Sequence, residues 1–340
     1  MPRGSHSGLT ATPPRKGMSV PYAVARIHTI ERNRLDTGQI ERLLAAATYG
    51  EALRVLAEIG FLSAEGGDAE MIAAERVRSA CALVRKISPD PNATDCFMLR
   101  YDGLNLKTLL KARCLNQPAA FLSPCGVYPV DRLAHMVAER QYKKLPEALR
   151  APLDALEKKL AVRDDALAID AAADKAVYAL IRQKLRFVKS RAIRAYFAER
   201  ADILGAVMLL RARRMGRDAA FFSEMLLPGG TIREAKWLRA FENPDLLEGL
   251  LAACGKAVKQ AAAAAVQDAA KLPALEKAME DHLIAKFTAL RHDCLRIEPV
   301  IGHILGAEKE AAAVRLILAG KKNAFPPEAI RERLRVLYGE

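Results

Sequence analysis

The chain has 340 residues, 51% hydrophobic and 27% charged, a balance that excludes a disordered or fibrous polymer and suits two or three domains rather than one small core. Its net charge is +13; residues 1–17 hold Arg3, Arg15 and Lys16 and no acid, so the remainder carries +10, which points to an anionic partner: nucleic acid, a lipid surface or an acidic protein. No apolar run approaches the roughly 20 residues that span a bilayer, and Ala261–Ala265, flanked by Lys256, Lys259, Gln260 and Gln267, reads as a solvated helix.

At the start of the chain, Pro2 to His6 has the look of what remains of a cleavable expression tag. Residues 1–17 are therefore read as tag remnant or disordered, with Met18 as the natural start and no secretory signal. From Tyr22 onward helical periodicity dominates and no strand shows hairpin chemistry, so the fold class is all-α. Ile40, Leu43, Leu44 and Ala47 form one apolar stripe, with Asp36 or Thr37 as N-cap. Tyr49 to Phe61 predicts a second helix that stops at Gly60. Residues 67–87 predict a third, ending before the turn cluster Ser88 to Asn92.

A pattern then recurs three times at intervals of about 100 residues: Asp102 to Arg113, Asp202 to Arg213 and Glu310 to Lys321. Each copy opens with an acid, places apolar residues at i, i+3 and i+4, and closes with a base. On a helix this gives one apolar stripe, with the acid expected near the N-terminal end and the base near the C-terminal end, both favourable to the helix dipole. A proline loop follows each copy: Leu122 to Gly126, Leu226 to Gly230, and Ala324 to Pro327. Each loop is expected to start a helix, at Val130 to Leu133, Ile232 to Ala235 and Ile330 to Leu334; Ile40 to Leu43 resembles these openings. The units are read as 18–127, 128–229 and 230–340, with the last helix packing back on the first unit and so closing the array.

Candidates for chemistry are sparse. The six cysteines (Cys81, Cys96, Cys114, Cys125, Cys254, Cys294) lack Cys-x-x-Cys spacing and read as reduced, mostly buried thiols. The histidines are His6, His28, His135, His282, His292 and His303, with none in a zinc or nucleophile motif; His28, near Arg26 and Arg32, reads as solvated. His292 and Cys294 flank Asp293, but neighbours in sequence do not face each other on a helix. Gly229 and Gly230 fit a tight turn with positive φ, the alternative being a backbone cradle for an anion. Arg182, Lys184, Arg186, Lys189, Arg191 and Arg194 are expected on one helix, followed by Arg211, Arg213, Arg214 and Arg217. They read as a solvated face, a site for an acidic protein or a nucleic-acid face; Phe187, Tyr196 and Phe197 nearby look like core.

Several of these residues together carry a resemblance. Tyr22 to Ile27 with Glu31, then Glu51 to Phe61, resembles the start of the central-stalk C subunit of V/A-type ATPases (ATP synthases), relative of the d subunit of the eukaryotic vacuolar pump. Tyr101, Asp102, Asn105 to Lys107 and Leu109 to Arg113 are similar to the family's first inter-unit motif, and Leu227 to Ile232 to its second loop. Glu298 to Ile301, Glu308, Glu310, Arg315, Gly320, Lys321 and Glu328 to Arg331 are similar to its C-terminal signature. The departures are Gly205 and Val207, where the first copy has Asn105 and Lys107, and Ala313, where the family usually has Asn.

The resemblance implies three similar helical-bundle domains in a pseudo-threefold funnel. It implies a non-catalytic socket that links the rotor shaft to the membrane ion-translocating ring and transmits torque. Its partners would be the central-stalk rotor subunits and the membrane rotor ring (proteolipid) subunits, with no cofactor, metal, small-molecule substrate or nucleic acid. It would sit peripherally at the cytoplasmic face of the membrane. The helix-end bases Arg113, Arg213 and Lys321 occupy symmetric positions and are candidates for the stalk or ring interface; the alternative is that they only complement helix dipoles. The competing function is a nucleic-acid-binding helical repeat protein.

Overall fold

The computed structural model describes residues 18–31, 34–61 and 68–338. Residues 1–17, on which the tag reading falls, lie outside them. Among the described residues all regular structure is helical. The α-helices are α1 (Val20–Glu31), α2 (Thr37–Ala45), α3 (Tyr49–Glu58), α4 (Ala69–Ile87), α5 (Pro91–Cys114), α6 (Val130–Ala138), α7 (Glu147–Leu160) and α8 (Ala166–Lys184). They continue as α9 (Arg191–Arg214), α10 (Ala219–Met225), α11 (Glu234–Glu242), α12 (Leu246–Leu250), α13 (Lys256–Gln267), α14 (Leu272–Thr288), α15 (Glu298–Lys322) and α16 (Pro327–Arg331). None is long and apolar enough to cross a membrane. The chain divides into two compact units: a middle unit built on residues 90–250, and a terminal unit that joins the segment up to Pro89 with 251–265 and 270 onward.

In the middle unit, Asp90 caps α5 by accepting the Ala93 N–H at 3.1 Å, and Pro91 sits in the first turn where its missing N–H costs nothing. α5 runs antiparallel to α8. Asp95 pairs with Lys184 at 2.8 Å, Lys107 with Asp174 at 2.6 Å and Lys111 with Asp170 at 2.6 Å, each step forward on α5 matching a step back on α8. α7 lies along α8 and buries Leu149, Leu153 and Leu156, one stripe at helical spacing. The ring of Phe97 on α5 lies 5.1 Å from Tyr196 and 4.8 Å from Phe197, both on α9. Phe222 of α10 stacks on Phe241 of α11 at 5.1 Å and meets Trp237 at 6.3 Å.

The terminal unit is organised around α15, which is buried without interruption from Glu298 to Ala307, as a central helix must be. α4 lies along it with Arg76 paired to Glu310 at 2.6 Å and Glu70 paired to Arg315 at 2.5 Å. Leu43 and Leu44 of α2, Leu56 of α3, and Val314, Ile317 and Leu318 of α15 share one core. Each such side chain contributes about 1.5–3 kcal/mol on burial. α16 packs on α2 and α15, and Arg331 pairs with Glu41 at 2.5 Å.

Several expected boundaries differ. The basic stretch from Arg182 to Arg194 is not one helix. α8 ends at Lys184, a 3-10 turn covers Leu185–Phe187, and Ser190 starts α9 by accepting the Ile193 N–H at 3.0 Å. Phe187, expected in the core, ends that turn 41% exposed, whereas Tyr196 and Phe197 are buried. α2 starts with a full capping box, in which Asp36 and Gln39 each bond the other's backbone N–H.

Candidate functional site

The acid of each repeat does not begin its helix. α5 and α9 each run 24 residues and α15 runs 25, and the acid falls near the middle of each, too far from the N-terminus for the dipole to account for it. In the first two copies its role is to hold a loop. Buried Asp102 accepts the backbone N–H of Val127 at 2.7 Å and of Tyr128 at 3.1 Å. Buried Asp202 accepts the N–H of Thr231 at 2.8 Å and of Ile232 at 3.2 Å, and the Thr231 hydroxyl at 2.5 Å. In both cases the donors stand three and two residues before the next helix, α6 or α11.

The glycine preceding each pair of donors lets the carboxylate in. A Cβ on Gly126 would collide with Asp102, and one on Gly230 with Asp202. The Gly229–Gly230 turn is thereby explained: Gly229 has φ 99°, and the N–H groups beyond Gly230 bind an internal carboxylate instead of an external anion. In the third copy, Glu310 is equally buried but forms an ion pair with Arg76.

The bases Arg113, Arg213 and Lys321 share a more uniform geometry. Arg113 Nη1 donates to the Val137 carbonyl at 2.6 Å, Arg213 Nη1 donates to the Phe241 carbonyl, and Lys321 Nζ donates to the Leu44 carbonyl at 2.5 Å. Val137, Phe241 and Leu44 are each the eighth residue of a nine-residue helix (α6, α11 and α2). These helices bury the same three positions: Leu133, Met136 and Val137; Trp237, Ala240 and Phe241; Ile40, Leu43 and Leu44. A cation on the last free carbonyls of a helix satisfies an acceptor and complements the dipole together. Arg113 also forms a two-pronged pair with Glu157 at 2.8 and 2.9 Å, and Glu157 accepts the Tyr142 hydroxyl at 2.5 Å. Burial and that bond push the Tyr142 phenol up.

All three repeat helices also stop in the same way. Three residues after the base comes a residue in the left-handed region: Asn116 (φ 49°), Gly216 (φ 64°) and Ala324 (φ 53°). The next N–H closes back on the carbonyl before the base at 2.9 Å: Gln117 to Ala112, Arg217 to Ala212, and Phe325 to Gly320. This is a Schellman stop made three times.

The departures among the copies are local. Asn105 clasps the Ser123 backbone with two 2.8 Å bonds, whereas Gly205 at the equivalent position leaves room for the Trp237 ring, 3.1 Å from where a Cβ would stand.

Outward, the third and sixth positions of α6 and α11 carry basic groups. Arg132 and His135 on α6, and Lys236 and Arg239 on α11, are not buried and make no side-chain hydrogen bond or ion pair with the described residues. On α2 the equivalents are Gln39 and Arg42. Gln39 closes the capping box and Arg42 pairs with Glu58 at 2.6 Å.

The remaining histidines and cysteines take other places. His28, expected to be solvated, donates through Nε2 to the Arg291 carbonyl at 2.9 Å. His292 accepts from Arg291 Nε at 3.0 Å, and the exposed Cys294 thiol donates to the His292 carbonyl at 3.7 Å, so the pair forms no nucleophile and base. A cleft of about 360 Å³ is lined by His28, Glu31, Arg291 and His292 without Cys294. Cys81, Cys96, Cys125 and Cys254 are buried thiols outside any disulfide. Buried His303 places Nδ1 3.3 Å from Glu31 and 3.2 Å from Arg34.

Comparison with known proteins matches residues 23–333 to the ATP synthase (C/AC39) subunit family. The A-type ATP synthase C subunit of Methanocaldococcus jannaschii is 23% identical, over 92% of this chain and 85% of that protein. Its counterpart in Methanosarcina mazei is also 23% identical, over 95% of both chains. That of Desulfurococcus sp. is 31% identical over 39% of this chain and 36% of its own length.

Proposed function

The chain belongs to the ATP synthase (C/AC39) subunit family, a structural and non-catalytic part of a rotary ATPase, and from that premise we propose that it is the socket between rotor shaft and membrane ring. In this reading three similar helical bundles form a pseudo-threefold funnel. The funnel receives the central-stalk subunits on one side, rests peripherally on the ring at the other, and carries torque between them.

The observation that carries the reading is the triple recurrence of one joint. In each copy a long helix ends in a base, a left-handed stop and a bond to the eighth carbonyl of a nine-residue helix. A joint fixed by the base in all three copies, and by the acid as well in the first two, suits a part that must not bend under load, and interiors packed at crystal-like density deform little. The bases Arg113, Arg213 and Lys321 serve the interface indirectly, by fixing α6, α11 and α2. The basic groups Arg132, His135, Lys236 and Arg239 on α6 and α11, without an ion pair among the described residues, are those offered to an acidic partner surface.

Binding of purified central-stalk subunits at rising ionic strength tests this. Retention at low salt, progressive loss with added salt and a further loss in Arg132→Glu/Arg239→Glu are expected. No retention even at low salt overturns it.

A further inference from the structure

A groove of about 810 Å³ runs along the middle unit between α7, α8 and α10. Leu156 and Val162 form one wall, Ala168 and Ala172 the floor, and Phe221 and Met225 the other wall. Val162 stands 89% exposed at its edge. A second cavity of about 580 Å³ shares Pro152, Lys175 and Glu224 with the first and continues the groove to Ala179, Leu226 and Trp237. From Leu167 to Ala179 the floor follows α8 for about 18 Å, the length of about three helical turns.

The charge around the first cavity is unbalanced: Lys158, Lys159, Arg163 and Lys175 line it against Asp165 and Glu224. The second cavity adds two acids that are already engaged, Asp202 holding the Thr231 and Ile232 N–H groups and Glu234 accepting the Ser223 hydroxyl. Asp165 is already engaged in capping α8, accepting the N–H groups of Leu167 and Ala168 at 2.9 and 3.0 Å. Glu224 faces Lys159 at 3.6 Å. Lys158, Arg163 and Lys175 therefore have no ion pair or side-chain hydrogen bond with the described residues. Burial pushes the half-buried Lys175 ammonium below its usual range, although Glu224 and Glu234 oppose this. A carboxylate brought into the groove would relieve that cost.

We infer that this groove receives one amphipathic helix of a partner subunit, its apolar face between α7 and α10 and an Asp or Glu paired with Lys175. The inference rests on the reading of the chain as a rotary ATPase subunit and goes beyond it by naming a binding surface and the chemistry of its occupant. An alanine-rich floor of about three turns, walled by Leu156 and Val162 on one side and Phe221 and Met225 on the other, matches the i, i+3, i+4, i+7 face of a helix. A lipid headgroup would use the lysines and leave those walls bare.

The test uses the assembled ATPase, isolated through a tag on another subunit. A benzophenone maleimide is placed at Val162→Cys in a Cys114→Ser/Cys294→Ser background, and the photoproduct is mapped by mass spectrometry. The expected product joins Val162→Cys to a helical segment of a partner subunit with an Asp or Glu within about one turn. Lys175→Glu is expected to cut its yield at least tenfold, and Lys175→Arg to keep it. Presence of the chain in the complex without a protein crosslink overturns the groove alone. A crosslink to lipid or to a second copy of this chain overturns it too, as does an unchanged yield in Lys175→Glu. Absence of the chain from the complex overturns the functional reading itself.

Discussion

The ammonium of Lys321, at the end of α15, donates to the carbonyl oxygen of Leu44, on α2, at 2.5 Å. The two residues are 277 apart in sequence, yet the contact repeats what Arg113 makes to Val137 over 24 residues. The joint is thus a property of the local geometry, whatever the length of chain between its halves. Lys321→Met removes the donor and leaves a half-buried carbonyl without a partner. A loss of about 1.5–3 kcal/mol is expected, as for other hydrogen bonds from charged groups. Lys321→Arg is expected to retain most of it. Urea unfolding of the two variants checks both.

The acid side of the joint is more demanding. Asp102 is fully buried and holds the Val127 and Tyr128 N–H groups on one carboxylate. Asp102→Ala would leave both unsatisfied and is expected to cost about 3–5 kcal/mol. Gly126→Ala should fail for the complementary reason, because its methyl would displace the same carboxylate. Glu310→Gln is expected to be milder, about 1–2 kcal/mol, since the amide oxygen can still accept from Arg76. Chemical denaturation ranks the three; a Glu310→Gln loss as large as that of Asp102→Ala would contradict the distinction.

Much of this frame is legible in the sequence. The eleven-residue spacing from acid to base marks a real equivalence, whereas the likeness of Ile40–Leu43 to Val130–Leu133 finds the right pair of helices three residues out of register, since Ile40 takes the place of Leu133 and Leu43 that of Met136. The place of the acid within its helix is not legible, because a stretch of apolar helix gives no sign of where the helix began; Pro91 and Arg191 are the true starts of α5 and α9. The partner of each base is illegible because it is a backbone carbonyl, and nothing in the apolar side chains of Val137, Phe241 and Leu44 marks an acceptor. Ser190, a good N-cap type, is the available signal that the basic stretch breaks in two.

Only one of the three helix stops uses glycine. Gly216 takes its left-handed φ of 64° freely, whereas Ala324 at 53° holds a methyl against the following carbonyl. Ala324→Gly is therefore expected to stabilise the chain by about 0.5–1 kcal/mol, the relief of strain exceeding the added entropy of the unfolded glycine. Gly216→Ala is expected to destabilise it by a similar amount. Thermal melts of the two variants should move in opposite directions.

The packing of α1 on α15 makes stability depend on pH. Burial lowers the pKa of His303, partly offset by the hydrogen bond to Glu31; the charges of Arg34 and Arg76 add to the lowering. Burial alone would lift the Glu31 carboxyl, but the His303 hydrogen bond and the Arg34 charge hold it below its ordinary value. Tyr338, whose ring lies 4.6 Å beneath the Arg34 guanidinium, closes the same cluster from the C-terminal segment. For His303 the folded state binds fewer protons than the unfolded one between its lowered pKa and the ordinary value of 6.5, so stability rises with pH across that window. For Glu31 the contribution is present above 4.5 and is lost as pH falls through the lowered folded value. Both groups act in the same direction, and acidification is expected to weaken the terminal unit first through His303 and then through Glu31. His303→Gln should flatten the upper part of the profile and, because the imidazole also helps hold the Glu31 carboxyl low, reduce the Glu31 part, leaving what Arg34 sustains. The midpoint of urea unfolding, followed from pH 8 to pH 4 in both proteins, measures this; identical profiles would show that His303 titrates the same way folded and unfolded.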